Sequence, residues 1–185
     1  DTAANSEEDA IKAEHQVGRD MAAKIRSKFG LARDEQTEHL INQVGGRLAE
    51  RVENKLRRFH FESICSGQRE AFCLPGGFVF VSRSMAQFCD WNQDQMAFIL
   101  AHEMAHVING HAMERMISNS AIATVSRSVR IRNPIAGLAQ KAGVKFLERA
   151  YSQRQELKAD ACGIRLMSDA GYNPESGLQL LKKLQ

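Results

Sequence analysis

The sequence predicts an α+β fold, mostly helical, with a small β-sheet beside one apolar helix. Three observations carry that reading: four-residue apolar spacing over residues 6–56, a two-residue period with turn chemistry over 59–81, and helical spacing again from residue 93.

Ser6 with Asp9 resembles a capping box, and Val17, Met21 and Ile25 recur every fourth residue until Gly30, a natural stop. A second helix is expected from near Asp34, because Leu40, Val44, Leu48, Val52 and Leu56 form one apolar stripe. Gly45 and Gly46 inside that stripe suggest a close crossing. Phe59, Phe61, Ser63 and Cys65 then alternate with His60, Glu62 and Ile64, as in a strand. Glu70 to Leu74 is a second strand candidate. Pro75-Gly76-Gly77 is turn chemistry, and Phe78 to Val81 is a third strand, so Ala71 to Val81 reads as a hairpin or tight β-arch. Met96, Ile99, Leu100, Met104, Val107 and Ile108 restore the helical period, with Gly110 closing the ordered part. Residues 112–150 are weakly periodic and broken by Asn133-Pro134. A final long helix is expected from Ser152 to Ala170, capped by Gly171, and Gly177 to Gln185 reads as a further helix under way. With no repeats, residues 1–185 are read as a single catalytic domain trimmed from a longer precursor.

Composition narrows the function. Over 185 residues, 25 Lys and Arg against 22 Asp and Glu leave +3, and 43% of residues are hydrophobic. That excludes a disordered tail and a disulfide-stapled mini-protein, and it gives no ground for a nucleic-acid partner. No transmembrane span is visible. The most apolar stretch, Met96 to Ile108, is too short to cross a bilayer and carries His102, Glu103 and His106. Cys65, Cys73, Cys89 and Cys162 have no C-x-x-C pairing, which argues against a four-thiolate zinc site and leaves disulfides and free thiols equally open.

The chemistry lies in His102-Glu103-Met104-Ala105-His106, an H-E-x-x-H pattern on an expected helix. Residues four apart share a helix face, so both imidazoles can reach one metal ion. Glu103, a quarter turn away, can hold a water without being a ligand. The bland alternative is a solvated amphipathic face, but a His-Glu-His cluster in so apolar a helix would need costly polar satisfaction without a metal.

A catalytic zinc site needs a third protein ligand and an open position. Glu156 and Asp160 form a second i, i+4 pair, continued by Gly163, where a missing side chain would let two helices meet closely. The reading assigns Glu156 as third ligand and Asp160 as the carboxylate that orients a ligand imidazole. The same spacing also fits an exposed acidic face paired with Arg154 and Lys158, and spacing alone does not choose. His111 is a poor ligand on an unbroken helix and reads as a support or helix-terminus residue. His15, His39 and His60 read as solvated. Arg127, Arg130, Arg132, Lys145 and Arg149 read as a solvated face rather than a phosphate or lipid site.

Taken together, Val17-Gly18-Arg19, Ala71 to Gly77 with Val79-Phe80-Val81, His102 to His106, Glu156 to Asp160 and Ala170 to Pro174 resemble one family over nearly the whole chain. It is the zinc metalloendopeptidases that include HtpX, BepA, LoiP, the CAAX prenyl proteases and the mitochondrial inner-membrane stress protease. The resemblance implies a zincin-like fold and one Zn2+ on His102, His106 and Glu156, with Glu103 catalytic. It implies protein or peptide substrates, among them misfolded envelope proteins, and a setting in the bacterial periplasm or cell envelope. The alternative setting is the mitochondrial inner membrane or intermembrane space. Peripheral membrane association is compatible with it. A rival function is a zinc-holding envelope chaperone with little proteolysis. Two departures bear on substrate preference: Glu70 where the family commonly has Asn, and Ser82-Arg83-Ser84-Met85 after the third strand. Ala71, Phe72, Cys73 and Leu74 are the expected substrate-binding edge. Tyr151, Arg154 and Tyr172 are the candidates to stabilise the oxyanion.

Overall fold

The computed structural model describes residues 2–119, 147 and 150–184. The asparagine–proline break and the arginine-rich stretch lie outside them. Helix α1 (Thr2–Phe29) buries Val17, Met21 and Ile25, the predicted stripe. Ser6 lies inside the helix rather than capping it, because Ala3 and Ala4, strong helix formers, extend it upstream.

Helix α2 (Glu35–Ala49) buries Leu40, Val44 and Leu48. It stops two turns earlier than the stripe predicts. Three-residue hydrogen bonds from Arg51 to Leu48 and from Val52 to Ala49 turn the chain there. Val52 is thus buried by a turn, and Leu56 stays 46% exposed. Gly45 meets the Phe61 ring, which a Cβ would approach to 2.5 Å, whereas Gly46 faces nothing.

The sheet comprises β1 (His60–Ile64), β2 (Ala71–Leu74) and β3 (Phe78–Ser82) in the order β1-β3-β2. β3 is central and wholly buried, which explains its unbroken apolar run. It pairs parallel with β1 and antiparallel with β2, matching Phe72 to Phe80 across the predicted hairpin. Phe61 and Ser63 point inward as the alternation predicts. Ile64 is also buried, because an isolated bridge to Leu31 covers it.

The hairpin turn rests on α1. A Cβ on Gly18 would stand 1.8 Å from the Pro75 carbonyl oxygen, so only glycine lets the helix and turn touch. Gly76, at φ 75°, takes the left-handed conformation that closes the turn.

Helix α3 (Arg83–Phe88), which sequence patterning did not reveal, starts where the Ser82 hydroxyl accepts the Met85 N–H. Asn92 caps α4 (Gln93–Ile108) in the same way, and α4 is buried almost all round. Gly110 is a joint rather than an end. Helix α5 (His111–Asn119) follows at once, burying Ala112 and Met116. A Ser152–Gln155 capping box opens α6 (Gln153–Asp169), and α7 (Glu175–Leu184) completes the described chain. α4 is packed between α6, α2, α7 and β2, so the small sheet does sit beside the apolar helix. All four cysteines are free thiols, with Cys73 and Cys89 buried.

The contact at Gly18 is a stability determinant. Gly18→Val is expected to destabilise the chain by about 1–3 kcal/mol through overpacking against the turn. A denaturant titration checks this, and an unchanged midpoint would refute it.

Candidate metal centre

Two helices build the site. α4 carries His102 and His106 one turn apart on the face toward α6. α6 presents Glu156 and Asp160 to the same place, and Gly163 permits the approach. A Cβ there would lie 3.0 Å from the His102 backbone nitrogen. The close crossing expected from Gly163 is therefore real.

Three donor atoms converge. His102 Nε2 is 3.1 Å from His106 Nε2 and 3.2 Å from Glu156 Oε2, and His106 Nε2 is 3.8 Å from that oxygen. Donors on a tetrahedral ion with bonds of roughly 2.0–2.1 Å stand about 3.3 Å apart. The triangle fits that size. It is the one group of three such ligating side chains found among the described residues.

The hydrogen bonds behind the donors matter as much. His102 Nδ1 lies 2.9 Å from Asp160 Oδ1, so the imidazole donates there and turns the lone pair of Nε2 inward. His106 Nδ1 lies 3.1 Å from His111 Nδ1. With His106 donating and His111 accepting, the lone pair of His106 Nε2 faces the same point. Three electron-rich atoms at this spacing repel one another unless a cation lies between them. Asp160 thus lies against the His102 imidazole and His111 against that of His106. Glu156 and Asp160 stay 42% and 41% exposed, but their ion-pair contacts among the described residues run to the two imidazoles and not to Arg154 or Lys158.

Burial tunes the groups. Desolvation, with His102 and His111 nearby, pushes His106 down to about 3 and holds it neutral. Desolvation pushes Glu103 up to about 7, against the lowering effect of His102 and of a hydrogen bond from Cys73. The Cys73 thiol is itself held well above its ordinary range by burial and by Glu103. Cys73 Sγ is also 3.7 Å from the Tyr151 hydroxyl. Tyr151 lies flat on His106, with ring centroids 3.7 Å apart and an angle of 12°. The Arg115 guanidinium caps the other side of this stack, 4.6 Å from the Tyr151 centroid.

These groups line a cleft of about 760 Å³ that includes His102, Glu103, His106 and Glu156. Of the expected edge residues, Ala71 and Phe72 border it, while Cys73 and Leu74 are buried behind. Among the oxyanion candidates only Tyr151 lines the cleft. Arg154 is exposed elsewhere, and Tyr172 is buried beneath Arg47, 4.8 Å from its ring. Arg115 was missed, although it stands one turn after His111, four residues on. His39 is solvated as expected, but His15 and His60 are not simply so: both rings stack on Phe78, at 5.1 and 4.8 Å.

Comparison with known proteins accords with this geometry. The beta-barrel assembly-enhancing protease of Escherichia coli O157:H7 is 29% identical over 186 residues, covering 95% of this chain and 38% of that protein. The mitochondrial metalloendopeptidase OMA1 of Schizosaccharomyces pombe is 30% identical over 115 residues, covering 62% of this chain and 34% of its own length. The chain thus spans well under half the length of these relatives. The model of peptidase family M48 matches residues 35–184, from the first residue of α2 to the last of α7 and across both halves of the donor cluster. By that match the chain belongs to peptidase family M48.

Proposed function

We propose that this chain is a zinc metalloendopeptidase that hydrolyses peptide bonds in proteins. The observation that carries the reading is the convergence of His102, His106 and Glu156 with the Glu103 carboxylate beside them in an open cleft. Three protein donors leave a tetrahedral ion one position, as hydrolysis requires, whereas a purely structural site uses four.

His102, His106 and Glu156 would hold the ion. When bound, zinc supplies Lewis acidity, polarising the scissile carbonyl and lowering the pKa of water towards ~7. Glu103 accepts the proton of the attacking water and passes it to the leaving amine. Its buried setting, which favours the neutral carboxyl, suits a group that must release a proton as readily as it takes one. Asp160 and His111 hold the two imidazoles in the ligating tautomer. The Tyr151 ring fixes the plane of His106, and its hydroxyl is the available donor for the developing oxyanion. Ala71 and Phe72 offer an edge along which an extended peptide can pair.

The bacterial relatives are named for enhancing beta-barrel assembly, and we read this chain in the same way as acting in the bacterial periplasm or cell envelope on misfolded envelope proteins. The mitochondrial relatives keep the inner membrane or intermembrane space as the alternative. No helix among the described residues is long and apolar enough to cross a membrane. Peripheral association stays compatible with that.

Chelation is expected to abolish casein cleavage and stoichiometric zinc to restore it. Glu103→Gln should lower kcat by about 10²- to 10⁴-fold while still binding one zinc per chain. Retained proteolysis in that variant would defeat the mechanism. Asp160→Asn should weaken zinc affinity by about 10- to 100-fold in a competitive chelator titration. Unchanged affinity would remove Asp160 from the proposed support.

A further inference from the structure

Glu70 stands immediately before β2 and lines the cleft that holds His102 and Glu103. Its backbone is fixed at both ends. The Glu70 N–H donates to the Ser82 hydroxyl at 3.0 Å, and its carbonyl accepts the Ser82 N–H at 2.8 Å. Its Oε2 is buried and has no hydrogen-bond partner among the described residues. A buried carboxylate oxygen left unpaired is costly, and native structures rarely keep one without a reason. The obvious internal partner is engaged elsewhere: the Arg69 guanidinium sits over the Phe88 ring, 4.1 Å from its centroid. None of the ion pairs among the described residues includes Glu70.

The placement suggests what satisfies the oxygen. β2 is the edge of the sheet, with β3 its only partner among the described strands. The Glu70–Ser82 bond makes that pair hydrogen-bonded, so the alternation of an antiparallel ladder turns the N–H and C=O groups of Ala71 and Cys73 to the open side. A peptide laid along that side passes Glu70 at one end. Roughly 10 Å further along, three residues at about 3.3 Å each, Cys73 meets Tyr151 under the Arg115 guanidinium. The cleft thus carries the Glu70 carboxylate, with Arg69 beside it, at one end and the Arg115 guanidinium at the other.

We propose that Glu70 is a specificity-determining residue that binds the cationic side chain of arginine or lysine in an extended peptide substrate. This rests on the metallopeptidase reading of the same cleft. The guanidinium or ammonium group donates to the Glu70 carboxylate, so the partner that Oε2 lacks among the described residues comes from the substrate. A site built to receive such a donor discriminates strongly against peptides that lack it.

The test uses peptides scanned with arginine, or with its neutral isostere citrulline, at each position around the cleaved bond. For the zinc-loaded chain, kcat/KM should favour arginine over citrulline at one position by 10- to 100-fold, the loss expected when one charged hydrogen bond disappears. Glu70→Gln should bring that ratio close to one, with thermal unfolding unchanged. A second arm measures binding of the same peptides to the metal-free chain by fluorescence anisotropy. If no peptide is cleaved but arginine peptides still bind more tightly and Glu70→Gln abolishes the difference, the peptidase reading fails and the Glu70 assignment stands. If peptides are cleaved but arginine and citrulline are equivalent, or Glu70→Gln leaves the ratio intact, the assignment is overturned.

Discussion

The crossing of α4 and α6 at Gly163 is the constraint on which the rest depends. Two helices with ordinary side chains at their contact keep their axes 8–10 Å apart. The Glu156 carboxylate reaches the His102–His106 pair only because one residue at the crossing has no side chain to separate the backbones. The three donor atoms come from distant parts of the chain, and a single hydrogen atom in place of a methyl group lets them share a point. Asp160, one turn from Glu156, exploits the same approach to hold His102 from behind.

That geometry would be unfavourable in an inert helix pair. Three electron-rich atoms face each other in a setting dry enough to force one imidazole neutral and to bring one carboxyl up to about 7. Packing supplies the compensation. α4 is gripped by α2, α6, α7 and the sheet, so its polar face cannot rotate toward water. An apolar helix with a His-Glu-His face is thus the form a hydrolytic centre takes when its frame must be rigid and its water supply limited to the cleft.

Much of this was legible because the chemistry is local. His102, Glu103 and His106 occupy a fixed helical spacing, and the strand run from Phe78 to Val81 and its turn carry short-range signals. Residue spacing left Glu156 undecided, since a metal ligand and a solvated acid four residues from Asp160 look alike in one dimension. Gly163 on the same face pointed to a close helix approach without settling the matter, and the resemblance to a known family, not the spacing, favoured Glu156. The end of α2 was misplaced because Val52 keeps the stripe in register through a turn. The four-residue spacing of Ala112 and Met116 would have revealed α5, but that signal is short and lies directly behind Gly110. The stacking of Tyr151 on His106 has no one-dimensional signature at all.

The role of α5 shows why the missing part matters. It leaves α4 at Gly110 and returns alongside the site, sending three consecutive contacts into it. His111 reaches His106, Arg115 covers Tyr151, and Glu114 accepts a hydrogen bond from Gln155, the capping residue of α6, at 2.9 Å. Each contact ties an element carrying one donor to an element positioning another. Tyr151 immediately precedes the capping serine, and Glu156 follows four residues after it, so the stack on His106 fixes where α6 begins and hence the height at which Glu156 enters. The triangle of His102, His106 and Glu156 donor atoms is therefore held twice: across the α4–α6 crossing at Gly163, and around its rim through α5. A displacement of either helix end must break both sets of contacts together, which is how a site assembled from two distant segments keeps its spacing.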